Sequence, residues 1–176
     1  MGFLQMKYVC WNESERNFKT WFDQLGIEIL RIVDCRDLGS REVREIQRQV
    51  GRSDPPPDFQ VRLQLKEHSL DLVLCWIDVK CPMKKLGDFY NLNDELYEKY
   101  VVFARCYRCP VYLVFYDQIR PSRDTDVVHS TDRMVGWAEL EYRKSSFKNR
   151  RIEVKKDLPF NQEIVKLMCK ALHAVV

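Results

Sequence analysis

Three polar side chains lie at the ends of two predicted β-strands and could together carry out chemistry. Asp58 precedes a strand that starts at Phe59, and Asp78 and Lys80 end a strand that starts at Leu70. Two neighbouring carboxylates repel each other, and a divalent cation removes that repulsion. Oxygen ligands suit Mg²⁺, with Mn²⁺ as a substitute, and such a metal activates water and neutralises charge on a phosphoryl group. The residues therefore predict metal-assisted hydrolysis, in which Lys80 orients the water, helps to deprotonate it or stabilises developing charge.

The elements that must position these residues form a predicted β-hairpin. From Phe59 to Leu65 apolar and polar residues alternate, which is typical of a strand with one buried face. Leu70 to Lys80 is almost continuously apolar, which indicates a central strand covered on both sides. The residues between the two runs are polar and predict the turn.

The register of this hairpin decides whether the acids meet. If the turn centres on His68, Asp58 and Asp78 each lie ten residues from it and face each other. Directly opposed residues bring their Cβ atoms to about 5 Å. Lys80 lies two residues beyond Asp78 and shares its face. A slip of one residue would send the two acids to opposite faces, so the prediction depends on the turn.

An Asp-x-Lys pattern by itself is weak evidence for a site. Such residues at a strand end usually form an exposed ion pair that contributes less than about 1 kcal/mol. Glu153-Val154-Lys155 shows the same local pattern in a basic stretch without an acidic hairpin partner, and we interpret it as a decoy. Asp78-Val79-Lys80 differs because it ends a buried strand and has Asp58 opposite.

The remaining pattern predicts one α/β domain over residues 1–176, in which helices and strands alternate. Asn12 is predicted to cap a first helix that ends at Gly26, and Arg120 to Arg133 is predicted to be a loop. The other predicted elements are a strand Ile27–Val33, helices from Ser40 to Gly51 and from Asn93 or Asp94 through Ala104, strands Pro110–Tyr116, Val135–Tyr142 and Arg151–Val154, and a closing helix Phe160–Ala174.

Composition is that of an ordinary globular protein, with 45% hydrophobic and 31% charged residues. No apolar run approaches the length that spans a bilayer, so no membrane partner is predicted. The first residues lack the basic start and cleavage site of a signal peptide, which predicts a cytoplasmic protein, in the host cytoplasm if the source is viral. Its cysteines and charges would fit an archaeal or archaeal-virus source.

Arginines cluster just before Asp58. The net charge of +3 is too small to establish a nucleic-acid partner, so their distribution matters more. The set is Arg41, Arg44, Arg48 and Arg52, of which the first three lie at helical spacing on one face. Arginine binds phosphate bidentately, so these side chains are candidates for nucleic-acid binding. The alternative for this cluster, and for a second one between residues 143 and 156, is a solvated surface.

Seven cysteines include one C-x-x-C pair, Cys106 and Cys109. No second cysteine or histidine pair lies at the spacing of a zinc site. Thiol redox chemistry by this pair is a third, weaker hypothesis, and a disulfide stays open for some source organisms.

Pro57-Asp58, a hairpin and Asp78-Val79-Lys80 resemble the signature of the PD-(D/E)XK nuclease superfamily. That group includes restriction endonucleases, archaeal Holliday-junction resolvases and several viral nucleases. The resemblance covers about Asn12 to Tyr116, and its specificity comes from the surrounding order of elements. It implies a restriction-endonuclease-like three-layer α/β/α core with a central mixed sheet.

By position, the resemblance makes Asp58 and Asp78 metal ligands, with the backbone carbonyl of Val79 as a further ligand. Lys80 corresponds to the catalytic lysine. The metal is expected to be Mg²⁺, with Mn²⁺ as a substitute.

Members of the superfamily often supply another acid from the first helix. Glu15 is the candidate here, ahead of Glu13, and the alternative is a carboxylate that interacts with the helix N-terminus. Many members also use a glutamine or lysine on the helix that follows the lysine strand. Tyr97 and Tyr100 occupy that region, and their spacing also fits core packing.

The resemblance thus implies a Mg²⁺-dependent nuclease and favours a DNA endonuclease that is nonspecific or structure-directed. A homodimer is expected because cutting both strands of a duplex favours two symmetric sites. The alternative is a catalytically silent nucleic-acid-binding or assembly protein on the same fold.

Overall fold

The computed structural model describes residues 3–51, 53–65, 70–80, 89–118, 130–140, 150–153, 155–156 and 160–175. Over these ranges the chain is mixed α/β, as predicted. The elements are α1 (Phe3–Asp23), β1 (Leu30–Asp34), a 3-10 turn (Cys35–Asp37), α2 (Ser40–Val50), β2 (Phe59–Leu65), β3 (Leu70–Lys80), β4 (Phe89–Leu92), α3 (Asp94–Tyr107), β5 (Val111–Gln118), β6 (Ser130–Glu139), β7 (Arg150–Glu153), β8 (Lys155–Lys156) and α4 (Phe160–Val175).

The main sheet has the strand order β1-β2-β3-β5-β6-β8, in which β8 contributes only two residues. Neighbouring strands are antiparallel except β3 and β5, which are parallel. A parallel pair needs a crossover connection, and α3 lies within it. The ends of β3 and β5 that carry Lys80 and Phe115 therefore meet at one edge of the sheet.

Helices pack against both faces of this sheet. One apolar cluster joins α2 and α3 to the face that carries Trp76 and Leu113. The other joins α1 and α4 to the face that carries Ile77 and Tyr112. Cys75, Trp76 and Ile77 of β3 thus alternate between the two clusters, which explains why this strand is almost continuously apolar.

The hairpin contains a β-bulge that the sequence pattern did not predict. Near the open end the pairs are Phe59–Ile77, Gln60–Trp76 and Val61–Cys75, and near the turn they run from Arg62–Val73 to Leu65–Leu70. Leu74 is the extra residue, and it is buried in the same cluster as Cys75 and Val61. The pairs beside the turn are therefore one residue out of the predicted register, and the bulge restores that register at the open end. Asp58 and Asp78 follow the Phe59–Ile77 pair and lie opposite each other.

Two predicted boundaries were wrong at the first helix. α1 begins at Phe3, so Asn12 lies inside the helix and does not cap it, and Glu15 is in its middle. The segment before Asn12 contains no proline and no glycine after residue 2, so nothing in it stops a helix. Gly26 adopts the predicted left-handed conformation, with φ 64°, but the helix ends three residues earlier, at Asp23.

Later elements agree more closely with the sequence pattern. The Asn93 side chain accepts a hydrogen bond from the N–H of Leu96 at 2.8 Å and caps α3, as predicted. Strand β4 was not predicted. It has four residues and pairs with β7. The predicted loop Arg120–Arg133 lies mostly outside the described ranges, and its last residues belong to β6. None of the helices described is long and apolar enough to cross a membrane.

The left-handed backbone conformation at the end of α3 can be tested by mutation. Arg108 follows the helix with φ 51°, a left-handed conformation that costs a side-chain-bearing residue about 1–2 kcal/mol. Glycine removes that cost but loses more chain entropy, so Arg108→Gly should raise the free energy of unfolding by about 0.5–1 kcal/mol. The matched variant Arg105→Gly, in the last helical turn, should lower it by about 1 kcal/mol. Urea denaturation measures both, and shifts of the same sign would contradict this end of the helix.

Candidate active site

Asp58 and Asp78 form a hydrogen-bonded carboxyl pair at the open end of the hairpin. Asp78 is only 5% exposed, and Asp58 is largely shielded. A hydrogen bond between two carboxyl groups requires a proton on one of them. Burial raises the pKa of Asp58 well above its usual range, and the neighbouring Asp78 raises it further. Asp58 therefore holds its proton to a higher pH than an ordinary aspartate.

Asp58 is fixed by the backbone on two sides. Its Oδ2 accepts a hydrogen bond from the N–H of Val79 at 2.7 Å, and its carbonyl accepts one from the N–H of Cys35 at 2.8 Å. Three prolines precede it (residues 55–57) and keep the chain out of a helix. These constraints hold the carboxyl against β3 despite the repulsion from Asp78.

The carbonyl of Val79 points toward the same side as its N–H. In a β-strand the N–H and C=O of one residue address the same neighbour. Because the Val79 N–H meets Asp58, the carbonyl is directed toward the Asp58 side of β3. The predicted role of this carbonyl as a ligand is thus compatible with the backbone.

Lys80 and Tyr100 both contact one oxygen of Asp78. The Lys80 Nζ lies 2.5 Å from Oδ2, and the Tyr100 hydroxyl donates a hydrogen bond to the same atom. Lys80 also lies 5.5 Å from the centroid of the Tyr100 ring, within the range of a cation–π contact. Lys80 therefore shares the face of Asp78, as the strand period predicts. Tyr97, the other tyrosine considered from the sequence, is buried in the core.

Glu15 reaches the neighbourhood of the pair from α1, but its direct partner is Arg36. Burial raises the pKa of Glu15, the Arg36 charge opposes this, and Asp34 and Asp78 raise it again. The effect of Asp78 places Glu15 within electrostatic range of the carboxyl pair. In the described part of the chain, no three acidic, histidine or cysteine side chains lie together as a ready metal site.

Lys99 is a further cation at this site that sequence reasoning missed. It is partly buried on α3, and its Nζ lies 5.5 Å from the Tyr100 ring centroid. Burial lowers its pKa, whereas the charges of Asp78 and Asp58 oppose that shift. A lysine on the helix after the lysine strand is a signal that could have identified it. In the sequence it lies within the apolar stripe through Tyr97 and Tyr100, which is typical of core packing.

The predicted phosphate-binding arginines are exposed on α2. Arg41, Arg44 and Arg48 all face solvent, and Arg48 forms an ion pair with Glu45 of the same helix at 2.7 Å. Arg52 lies outside the described residues. Glu13 is partly buried on α1. The role of these arginines in binding nucleic acid stays a prediction.

The donors at the site fit a hard divalent cation. Asp58, Asp78, Glu15 and the Val79 carbonyl would all present oxygen, the ligand type that Mg²⁺ and Mn²⁺ prefer. The raised pKa of Asp58 favours a proton on that carboxyl, so positive charge is favourable at this point. A divalent cation that displaces it would relieve the repulsion more fully than one proton does.

The C-x-x-C pair has a different character. Both thiols are free, and Cys106 is exposed whereas Cys109 is buried. Burial raises the pKa of Cys109 to about 12. Because the thiolate is the reactive form, Cys109 is a poor nucleophile at neutral pH, and the redox hypothesis for the pair stays a prediction.

The chain matches no protein-family model and no curated protein. The resemblance to PD-(D/E)XK nucleases therefore stays a prediction, and the functional argument depends on the geometry of the site.

The raised pKa of Asp58 predicts how stability changes with pH. Stability from the protonated carboxyl is present at low pH and is lost as the pH rises through the raised pKa. Asp58→Asn keeps an oxygen for the Val79 N–H and removes the charge. In chelator at pH 8 we expect it to exceed wild type in free energy of unfolding by about 1–3 kcal/mol, with a smaller difference at pH 5.

Urea denaturation at the two pH values measures this effect. Asp71→Asn is the matched control, because Asp71 is an exposed acid on the same strand. It should show no comparable gain at pH 8. With Mg²⁺ or Mn²⁺ present, only wild type and the control should be stabilised. A variant Asp58→Asn less stable than wild type at pH 8 in chelator would contradict the strained carboxyl pair.

Proposed function

We propose that this protein is a metal-dependent nuclease that hydrolyses phosphodiester bonds and that its main substrate is DNA. The observation that carries the proposal is the buried Asp58–Asp78 carboxyl pair, with the Lys80 ammonium 2.5 Å from Asp78. A fold gains nothing in stability from two carboxyls held together, so their placement is better explained by a ligand that neutralises them.

Each residue has a defined part in this proposal. Asp58 and Asp78 would hold Mg²⁺ or Mn²⁺, with the Val79 carbonyl and Glu15 completing the set. The bound metal supplies Lewis acidity and water of lowered pKa. Lys80 binds Asp78 and faces the same space, where its charge can orient the attacking water and stabilise the developing negative charge.

Two further side chains support the reacting centre. Tyr100 donates a hydrogen bond to Asp78 and so orients that carboxylate. Lys99, on the same helix, places a second positive charge within range of both aspartates. A phosphodiester bound there would meet two ammonium groups, which fits a substrate with a negative charge.

The order of the elements supports a restriction-endonuclease-like core. An antiparallel hairpin, β2 and β3, is followed by α3 and by a parallel strand β5, with helices on both faces. We propose the same fold assignment as the motif implies, in a cytoplasmic protein whose two symmetric copies cut a duplex in a nonspecific or structure-directed way.

One observation favours the alternative of a silent nucleic-acid-binding protein. Glu15 is held by Arg36 instead of joining the two aspartates. A protein with only two acidic ligands could bind nucleic acid without cutting it. The two candidates differ in turnover, which is simple to measure.

Cleavage assays test the proposal directly. Wild type should cut supercoiled, linear, single-stranded or four-way-junction DNA in Mg²⁺ or Mn²⁺ and not in chelator. Asp78→Asn and Lys80→Ala should each lower the rate by about 100-fold or more, because each removes a charge needed in the transition state. The control Asp71→Asn, about 23 Å along β3 by strand rise, should retain activity.

Thermal melting separates loss of chemistry from loss of fold. Asp78→Asn and Lys80→Ala should remain folded in chelator. DNA binding without cleavage in every metal would support the silent protein instead. Full activity of Asp78→Asn would exclude the carboxyl pair as the active centre.

A further inference from the structure

We infer that Arg36 is an exchangeable partner of the active site. It pairs with Glu15 when no metal is bound, and it contacts a phosphate of the nucleic acid when Glu15 turns to the metal. The inference rests on the proposed nuclease function and identifies Arg36 as a substrate-binding residue of that site.

Arg36 bridges two shielded carboxylates from the surface. Its Nε donates to Asp34 Oδ1 at 3.0 Å, its Nη2 donates to Asp34 Oδ2 at 2.6 Å, and its Nη1 pairs with Glu15. The arginine side chain is 55% exposed, whereas Glu15 is 13% and Asp34 10% exposed. All three nitrogens of the guanidinium thus contact acids, while much of the side chain faces solvent.

The two contacts of Arg36 differ in strength. The Arg36 guanidinium donates two hydrogen bonds to the Asp34 carboxylate, and the Arg36 backbone N–H donates a third, at 2.9 Å. Burial acts to raise the pKa of Asp34, but the Arg36 hydrogen bonds outweigh it and the pKa falls. Glu15, in contrast, contacts a single nitrogen of the guanidinium, Nη1, among the described residues. Arg36 can therefore leave Glu15 and remain anchored by Asp34 in the turn Cys35–Asp37.

The charges around the site explain why the exchange is favourable. The charged groups around the site include the acids Glu15, Asp34, Asp58 and Asp78 and the cations Arg36, Lys80 and Lys99. Counted at full charge, these four acids exceed these three cations by one. A divalent cation adds positive charge and competes for Glu15, which frees Nη1 of Arg36. A phosphodiester supplies the missing negative charge, and the freed Nη1 can donate a charge-assisted hydrogen bond to one of its oxygens.

A purely structural role for Arg36 leads to the opposite expectation. If the arginine only holds Glu15 in place as a ligand, removing it would disorder Glu15 and weaken metal binding. If it competes with the metal, removing it would tighten metal binding. The sign of the change in metal affinity therefore separates the two roles.

The test compares wild type with Arg36→Gln, in the full chain. Calorimetry with Mn²⁺ should show affinity that rises about three- to tenfold in the variant. In Ca²⁺, with cleavage monitored and absent, fluorescence anisotropy should show duplex DNA affinity falling about tenfold, the loss of one charge-assisted contact. The slope of log affinity against log salt should shrink by about one phosphate contact. In chelator, where Glu15 holds Arg36, the variant should bind DNA nearly as wild type does.

Two matched variants keep the result interpretable. Arg31→Gln removes an exposed arginine from β1 and should change neither affinity. Arg36→Lys keeps the charge but cannot bridge both carboxylates at once, so it should tighten metal binding with the salt slope unchanged. It also replaces Arg36→Gln if that variant does not fold.

Weaker metal binding in both Arg36 variants, or unchanged DNA affinity of Arg36→Gln in Ca²⁺, would overturn the inference and leave the nuclease proposal standing. A wild type that binds no divalent metal would overturn both. The two failures are therefore distinguishable.

Discussion

The repulsion between Asp58 and Asp78 is the constraint around which the rest of the site is arranged. Two carboxyls in a shielded place would force the hairpin end apart unless other groups held them. The backbone N–H groups of Val79 and Cys35 fix Asp58, and Lys80 and Tyr100 fix Asp78. These contacts hold the two carboxyls together despite their repulsion, which a cation bound between them would relieve.

The register shows how far a sequence pattern can predict such a meeting. Counting from His68 placed the acids opposite each other correctly, although the ladder beside the turn is shifted and a bulge at Leu74 compensates. The bulge could not be predicted because β3 is apolar on both faces, so its sequence has no period that an extra residue would interrupt. Alternation in β2 carries the information, because only one of its faces is uniformly apolar.

Contacts between residues that lie far apart in the sequence could not be predicted from local patterns. Strand period predicted the shared face of Asp78 and Lys80, and the capping residue Asn93 predicted where α3 begins. Arg36, in contrast, meets Glu15 only because a turn after β1 packs beside the middle of α1. No local spacing encodes that contact. The missed start of α1 had a similar origin, since Asn12 has a good capping side chain but the chain before it stays helical.

Two positive charges compensate the acids of this site in the absence of metal. The raised pKa of Asp58 favours a protonated carboxyl there, and the guanidinium of Arg36 pairs with Glu15. Each compensates carboxylate charge that would otherwise be unpaired and shielded from water, and in the proposed nuclease a divalent ion would displace both. Under that proposal the same residues form an ion-paired cluster without metal and present oxygen ligands when a metal binds. The fold would then need only to keep the acids within reach, because the incoming cation would decide which of them become ligands.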